Sequence, residues 1–292
     1  MAKLNQISKK AFSLIELSIA ILIIGLLIAG ISKGSDIIRK FKLVAAQNIS
    51  SGSPVTIIPN LTVWYDATSA NGLDLANLTN NDLVEEWKDV SPRKTSSQKI
   101  NLTQSIDGNK PQFISNAING LPALFFDGSD IIRKSDVLGR DIFKSEEVTV
   151  FLVQNYKDGA SENINWYSGD QRLSLHATYS NNIIYFEHRQ MIQQRATYEY
   201  PSPQAFNDEF RNKNKILNFI KSPQNMEIRV NGNQMTLVPI TSNLDVSKKA
   251  DLVVGNLLRG LIAEIIIFDR SLNSVEIEKI EKYLSEKWSI NL

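Results

Sequence analysis

Glu227-Ile228-Arg229-Val230-Asn231-Gly232-Asn233-Gln234-Met235 decides the fold class of this chain. Apolar and polar residues alternate on its arms, the period of a strand with one buried face. Asn231-Gly232 between them supplies two residues that tolerate positive φ, as a two-residue turn between twisted strands demands. The stretch predicts an antiparallel hairpin. Short β-branched and aromatic runs recur elsewhere between turn formers, at 61–65, 123–126, 148–153, 183–187, 216–220, 251–254 and 261–268. That spacing predicts an antiparallel all-β sandwich. A closing helix follows, with Asn273 as N-cap, Glu276 as its box partner, and Ile277, Ile280, Leu284 and Trp288 on one face.

The N-terminus is built differently. After Lys9-Lys10, the run Ala11-Phe12-Ser13-Leu14-Ile15-Glu16-Leu17 opens a stretch that stays apolar through Ile31, with Glu16 its one charge. The 20 residues from Phe12 to Ile31 make about 30 Å of helix, the thickness of a bilayer's hydrocarbon core. An ionisable group inside such a stretch costs a few kcal/mol, which marks it as functional. A plain signal anchor leaves Glu16 unexplained, and a cleaved secretory signal lacks a good small-residue site after its core. Beyond Ile31 the pattern turns amphipathic, with Ile37, Ile38, Phe41, Val44 and Ala45 opposite Arg39, Lys40 and Lys42. Ser50-Ser51-Gly52-Ser53-Pro54 stops the helix. The expected organisation is a leader over 1–11, a transmembrane and amphipathic helix over 12–50, a linker over 51–59 and a sandwich over 60–292. The class is α+β, mainly β.

Composition narrows the chemistry. The 292 residues carry a formal charge of +1, and loss of the leader with its three lysines brings the side chains to −2. Neither value drives the chain toward nucleic acid, and no nucleic-acid partner is expected. With no cysteine and only His176 and His188, thiol catalysis and zinc sites are not expected, and no metal ligand is named.

The segment Ala11-Phe12-Ser13-Leu14-Ile15-Glu16-Leu17, behind a basic leader, resembles the type IV prepilin (class III) signal of pilins and pseudopilins. The resemblance implies cleavage between Ala11 and Phe12 by a prepilin peptidase and methylation of the new Phe12 amine. It implies that Glu16 pairs with that amine on a neighbouring subunit and sets assembly register. Ala11 departs from the family's usual glycine, which puts processing speed in question. The implied partners are the peptidase, other pilin or pseudopilin subunits and an inner-membrane assembly platform. The implied location is a bacterial inner membrane, single-pass, N-terminus cytoplasmic and head periplasmic, then a pilus or cell surface after assembly.

A second resemblance rests on Leu61-Thr62-Val63-Trp64-Tyr65-Asp66-Ala67, Val84-Glu85-Glu86-Trp87-Lys88-Asp89, Asn119-Gly120-Leu121-Pro122-Ala123-Leu124-Phe125-Phe126-Asp127-Gly128 and Gly260-Leu261-Ile262-Ala263-Glu264-Ile265-Ile266-Ile267-Phe268. In this order they are similar to the concanavalin A/laminin-G-like jelly roll, a fold that hosts many functions. Trp64, Trp87 and Trp288 read as framework, and Asp66, Asp89 and Asp127 as turn or cap residues. Trp166 and Asp170, among small polar neighbours, are the candidate ligand-binding residues. Members of this fold also hold Ca²⁺ through Asp and Asn oxygens at a sheet rim. No cofactor is expected, with Ca²⁺ left as the alternative. Glycoside hydrolysis takes two carboxylates about 5–9 Å apart. Tyr185-Phe186-Glu187-His188-Arg189 offers one, so the head is expected not to be an enzyme. Two functions follow. One is a non-catalytic minor pilin or pseudopilin-like subunit displaying its head for adhesion or for binding a glycan or surface protein. The other is an inner-membrane-anchored periplasmic protein that binds or hydrolyses glycans.

Overall fold

The computed structural model describes residues 14–143, 147–159, 162–169, 171–178, 182–189, 195–240 and 245–292. Its helices are α1 (Leu14–Ser51), α2 (Pro203–Glu209) and α3 (Ser274–Trp288). Its strands begin with β1 (Leu61–Asp66), β2 (Glu86–Trp87), β3 (Leu102–Thr103), β4 (Gln112–Ile118), β5 (Leu121–Asp127), β6 (Ile132–Leu138), β7 (Val148–Asp158) and β8 (Glu162–Ser168). They continue with β9 (Gln171–Ala177), β10 (Ile183–Arg189), β11 (Arg195–Glu199), β12 (Asn214–Lys221), β13 (Asn225–Val230), β14 (Asn233–Pro239), β15 (Lys249–Asn256) and β16 (Arg259–Phe268). The chain divides into two compact units, Met1–Lys42 and Leu43–Leu292.

In the first unit, α1 exposes its described apolar side chains, among them Ile15, Leu17, Ile19, Leu22 and Ile24, and Arg39 pairs with Asp36 at 2.9 Å. The side chains of Leu14, Glu16, 26–33 and Ser35, and residues 1–13, lie outside the described set. Among the described residues no helix is long and apolar enough to cross a membrane, and the span expected over 12–31 falls largely on positions outside that set.

The second unit is a two-sheet sandwich with every strand pair antiparallel. The first sheet runs β14-β13-β12-β7-β16-β5-β4 and the second β11-β10-β9-β8-β15-β6-β3-β2. Strand β16 is the spine of the first sheet. Along one edge it pairs with β7, and along the other it meets β5 through Arg259–Ile262 and then β1 through Glu264–Phe268. One apolar cluster fills the space between the sheets, with Trp87, Phe126, Leu152, Trp166, Phe186 and Phe219 fully buried. Gly255, at φ +87°, lets β15 pass over Phe126, whose ring a Cβ would overlap. A second cluster lies on the other face of the first sheet. There α3 packs Ile277, Ile280, Leu284 and Trp288 against Phe151, Val153, Ile266 and Phe268. Residues 51–59, the expected linker, contain a tight turn at Pro54–Thr56, and its Val55 and Ile58 are buried in this second cluster beside Ala46.

All nine expected strands form, counting both arms of the hairpin, β13 and β14, where Asn231 and Gly232 have φ of 47° and 77°. Strands β4, β6, β8, β9 and β11 and the two-residue β2 and β3 are additions. β6 reads Ile-Arg-Lys-Ser-Asp-Val-Leu with four exposed residues in its middle. Such polar runs carry little strand propensity and are held by their neighbours instead. The cap of α3 forms as expected: Asn273 Oδ1 accepts from the Glu276 N–H at 3.0 Å, and Glu276 returns the bond to the Asn273 N–H at 3.1 Å.

A buried polar knot ties the second unit together. Glu264 of β16 accepts from Trp64 Nε1, Tyr283 OH, Lys287 Nζ and Trp288 Nε1, each at 2.7 Å. Lys287 Nζ reaches Asp66 Oδ2 at 2.8 Å, and Ser50 Oγ in the last turn of α1 donates to the same oxygen at 3.0 Å. Burial pushes the Glu264 carboxyl up, with Lys287 opposing. Trp64 and Trp288 thus take the framework roles read from the sequence, while Asp66 keeps its turn role, accepting from the Thr68 N–H at 2.8 Å, and also joins the knot.

Candidate functional site

Alternation along the second sheet separates two faces. Ile164, Trp166, Leu173, Leu175, Ile184 and Phe186 point into the core. Their neighbours on β8, β9 and β10 therefore face outward, and these are polar. The register sets Asn165, Ser174, Glu187 and Arg195 in one row across β8, β9, β10 and β11.

Glu187, fully buried, lies between two arginines from the flanking strands. Arg172 Nη1 donates at 3.0 Å and Arg195 Nε at 2.8 Å. Each guanidinium also covers an aromatic ring, Arg172 over Tyr167 at 4.6 Å and Arg195 over Tyr185 at 4.4 Å. His176 stacks on Tyr185 with 4.2 Å between centroids.

A second chain of bonds runs beside this group. Tyr167 OH donates to Glu162 Oε1 at 3.0 Å and lies 2.9 Å from Ser174 Oγ, which in turn meets His176 Nε2. Burial pushes the Tyr167 phenol up to about 12, so it keeps its proton at neutral pH. With that proton committed to Glu162, Ser174 donates to Tyr167, and His176 must then donate from Nε2. Asn165 and Asn256 also donate to Glu162. The result is a pre-organised polar plate, buried at Glu187, Ser174 and His176 and partly exposed at Tyr167, Arg172 and Arg195, with two engaged carboxylates and two guanidiniums fixed on aromatic rings. It suits recognition of a polar, hydrogen-bonding surface.

The residues named from the sequence fall elsewhere. Trp166 is fully buried, donates from Nε1 to the Val137 carbonyl at 2.8 Å and meets Phe143 edge-on at 5.4 Å. It is a core residue and offers no ring to a ligand, which corrects its selection as a binding candidate. Its small polar neighbours belong to the other face of the same strand. Asp170, Ala11 and Phe12 lie outside the described residues, as does the Glu16 side chain. Asp89 takes the turn role read for it, accepting from the backbone N–H groups of Trp64 at 3.1 Å and Ser91 at 3.0 Å. Glu162, Arg172 and Arg195 escaped the sequence reading because they lie on three strands. The available signal was alternation, with Asn163, Asn165 and Tyr167 flanking Ile164 and Trp166. Among the described residues no group of three or more His, Asp or Glu is placed to hold a metal ion.

Residues 7–32 match the family described as "Prokaryotic N-terminal methylation motif". No curated protein matches the sequence. A Trypanosoma rangeli sialidase in complex with sialic acid is similar in structure with a TM-score of 0.53 at 14% identity, over 78% of this chain and 33% of that one. The same organism's sialidase with a difluoro-KDN ligand gives 0.52 at 12%, over 85% and 38%. The binding domain of Paraclostridial Mosquitocidal Protein 1 gives 0.52 at 10%, over 78% and 52%. The chain spans about a third to about half the length of these structures, and at such identities the likeness shows the fold alone. It corrects one expectation nonetheless. Sialidases share this architecture with a binding domain, so counting carboxylates on one strand does not exclude an enzyme. The chain joins a prepilin-type N-terminal methylation motif to a jelly-roll-like β-sandwich head.

Proposed function

We propose that this chain is a minor pilin or pseudopilin-like subunit that carries its sandwich to the cell surface, where the head binds a glycan or a surface protein. The observation that carries this reading is the methylation motif at residues 7–32 joined to a head of more than 200 residues. A head of that size is hard to repeat along a filament shaft, which favours a tip or low-copy position. In this reading the prepilin peptidase cuts between Ala11 and Phe12 and the Phe12 amine is methylated. Glu16 pairs with that amine on a neighbouring subunit, and the assembly platform draws the subunit out of the inner membrane. The polar plate around Glu187 is the surface offered to the ligand.

Mass spectrometry of the mature chain tests the processing. Loss of residues 1–11 with one methyl on Phe12 is the expected result, and an intact Met1 refutes it. Glu16→Ala is expected to abolish co-purification with filaments, and unchanged incorporation refutes the register role. An inner-membrane-anchored glycan-binding or glycan-hydrolysing protein is the second reading, supported by the fold shared with sialidases. It requires the uncleaved mass. Binding to a glycan array, with Ca²⁺ and with chelator, addresses the head and its cofactor together.

A further inference from the structure

A cleft of about 530 Å³ opens at one rim of the sandwich, away from the polar plate. Its walls are the 91–100 loop, the bulged end of β6, and the ends of β1 and β16. The volume is in the range of small-molecule sites. Among the described residues no aromatic ring lines it; charged and hydroxylated side chains share its walls with Leu61, Ile100 and Val137.

The charges are not evenly compensated. Asp89, buried beneath the loop, holds Lys94 Nζ at 3.4 Å, and Arg93 donates to the Ile57 carbonyl at 3.2 Å. Asp141 and the buried Asp269 also draw on Lys94, which burial alone would discharge more readily. Lys99, on the loop, and Lys134, on β6, both line the cleft, and among the described residues neither side chain has an ion-pair or hydrogen-bond partner. Asp136, two residues along β6 from Lys134 and at φ 58°, sits in the bulge of that strand. A bulge re-aims a side chain out of the ladder, and bulges concentrate beside binding sites. Ser91, Ser97 and Ser135 add hydroxyls.

We propose that this rim cleft is a binding site for an acidic saccharide, with Lys99 and Lys134, from two different elements, taking its carboxylate and Asp136 and the serines taking its hydroxyls. Two ammoniums without counter-charges lining one cleft suit an anionic group, and charge-assisted bonds of this kind are the strong ones. A carboxylate oxygen such as that of Asp136 accepts from a hydroxyl and repels a bare anion, so the ligand needs both groups. The cleft lies wholly in the head, so the inference stands or falls separately from N-terminal processing.

The test is calorimetric titration of the detergent-solubilised full chain with galacturonate and its trimer, against galactose and galactotriose. The acidic sugars should bind and the neutral ones should bind at least about tenfold more weakly. Lys99→Ala/Lys134→Ala should remove the preference for the acid, as should about 0.5 M salt. Both lysines lack partners, so the variant's unfolding midpoint should stay at the parent value. Equal affinity for acid and neutral sugars, no binding of either, or an unaffected double variant would each overturn the proposal.

Discussion

Replacing Glu264 with alanine should be among the most damaging single changes in the head. The carboxylate is fully buried and accepts four hydrogen bonds, each 2.7 Å long. Its removal leaves Lys287 Nζ, itself fully buried, with Asp66 as its remaining charged partner at 2.8 Å. Tyr283 OH keeps Ser50 Oγ at 3.2 Å, whereas the indole N–H groups of Trp64 and Trp288 lose the only acceptors shown for them. Breaking a buried pair by deleting one partner costs about 3–5 kcal/mol. Each orphaned indole adds about 1–3 kcal/mol when counted alone, and members of one network do not add fully. The expected loss is at least about 4 kcal/mol, or roughly 8–16 °C in Tm for a head of this size. Urea unfolding followed by tryptophan fluorescence reads it, because two of the four tryptophans bond directly to this carboxylate. Glu264→Leu combined with Lys287→Met should recover much of the loss, since apolar replacements of buried pairs are often neutral. A cost below about 1 kcal/mol for Glu264→Ala would refute the assignment of the knot as the clamp of β1, β16, α3 and the end of α1.

Three further outcomes can be checked on the same sample. Burial pushes the Asp130 carboxyl up to about 6 from its usual range near 4, so between those pH values the folded state binds the proton and the unfolded state does not. Stability should therefore fall as pH rises from about 4 to about 6, and Asp130→Asn should remove that slope and stabilise the fold at pH 7, by less than the full shift because solvent screens this group, read by urea midpoints across pH. Gly255→Ala puts a Cβ 2.1 Å from the Phe126 ring at a positive φ, and about 3 kcal/mol or more of destabilisation is expected in the same assay. Val55→Ala, fully buried beside the end of the stem helix, should cost about 2 kcal/mol by thermal unfolding, where a flexible linker would show no change.

How much of this was legible in advance follows from where each signal resides. The hairpin at Asn231-Gly232, the capped closing helix and the strands rich in Ile, Val and Phe are local patterns. Their physics is complete within ten residues: a turn needs positive φ, a cap needs a side-chain acceptor, a buried strand needs apolar alternation. The methylation motif is likewise a contiguous word, and residues 7–32 suffice to match it. Strands β6, β8 and β9 escaped because their sequences are half polar and their order comes from the neighbours they pair with. Trp166 misled for the same reason, since its polar neighbours alternate with it on the opposite face of the sheet.

The sequence alone therefore determined a long N-terminal helix carrying a processing motif, a mainly antiparallel β head and a capped C-terminal helix. Only the tertiary structure decided which charges meet. It placed Glu187 between Arg172 and Arg195 from two other strands, and it gathered Ser50, Asp66, Glu264 and Lys287 from four segments up to 237 positions apart. The reason is physical: local conformation depends on near neighbours along the chain, whereas burial and charge pairing depend on sheet register, which couples residues that no local pattern relates.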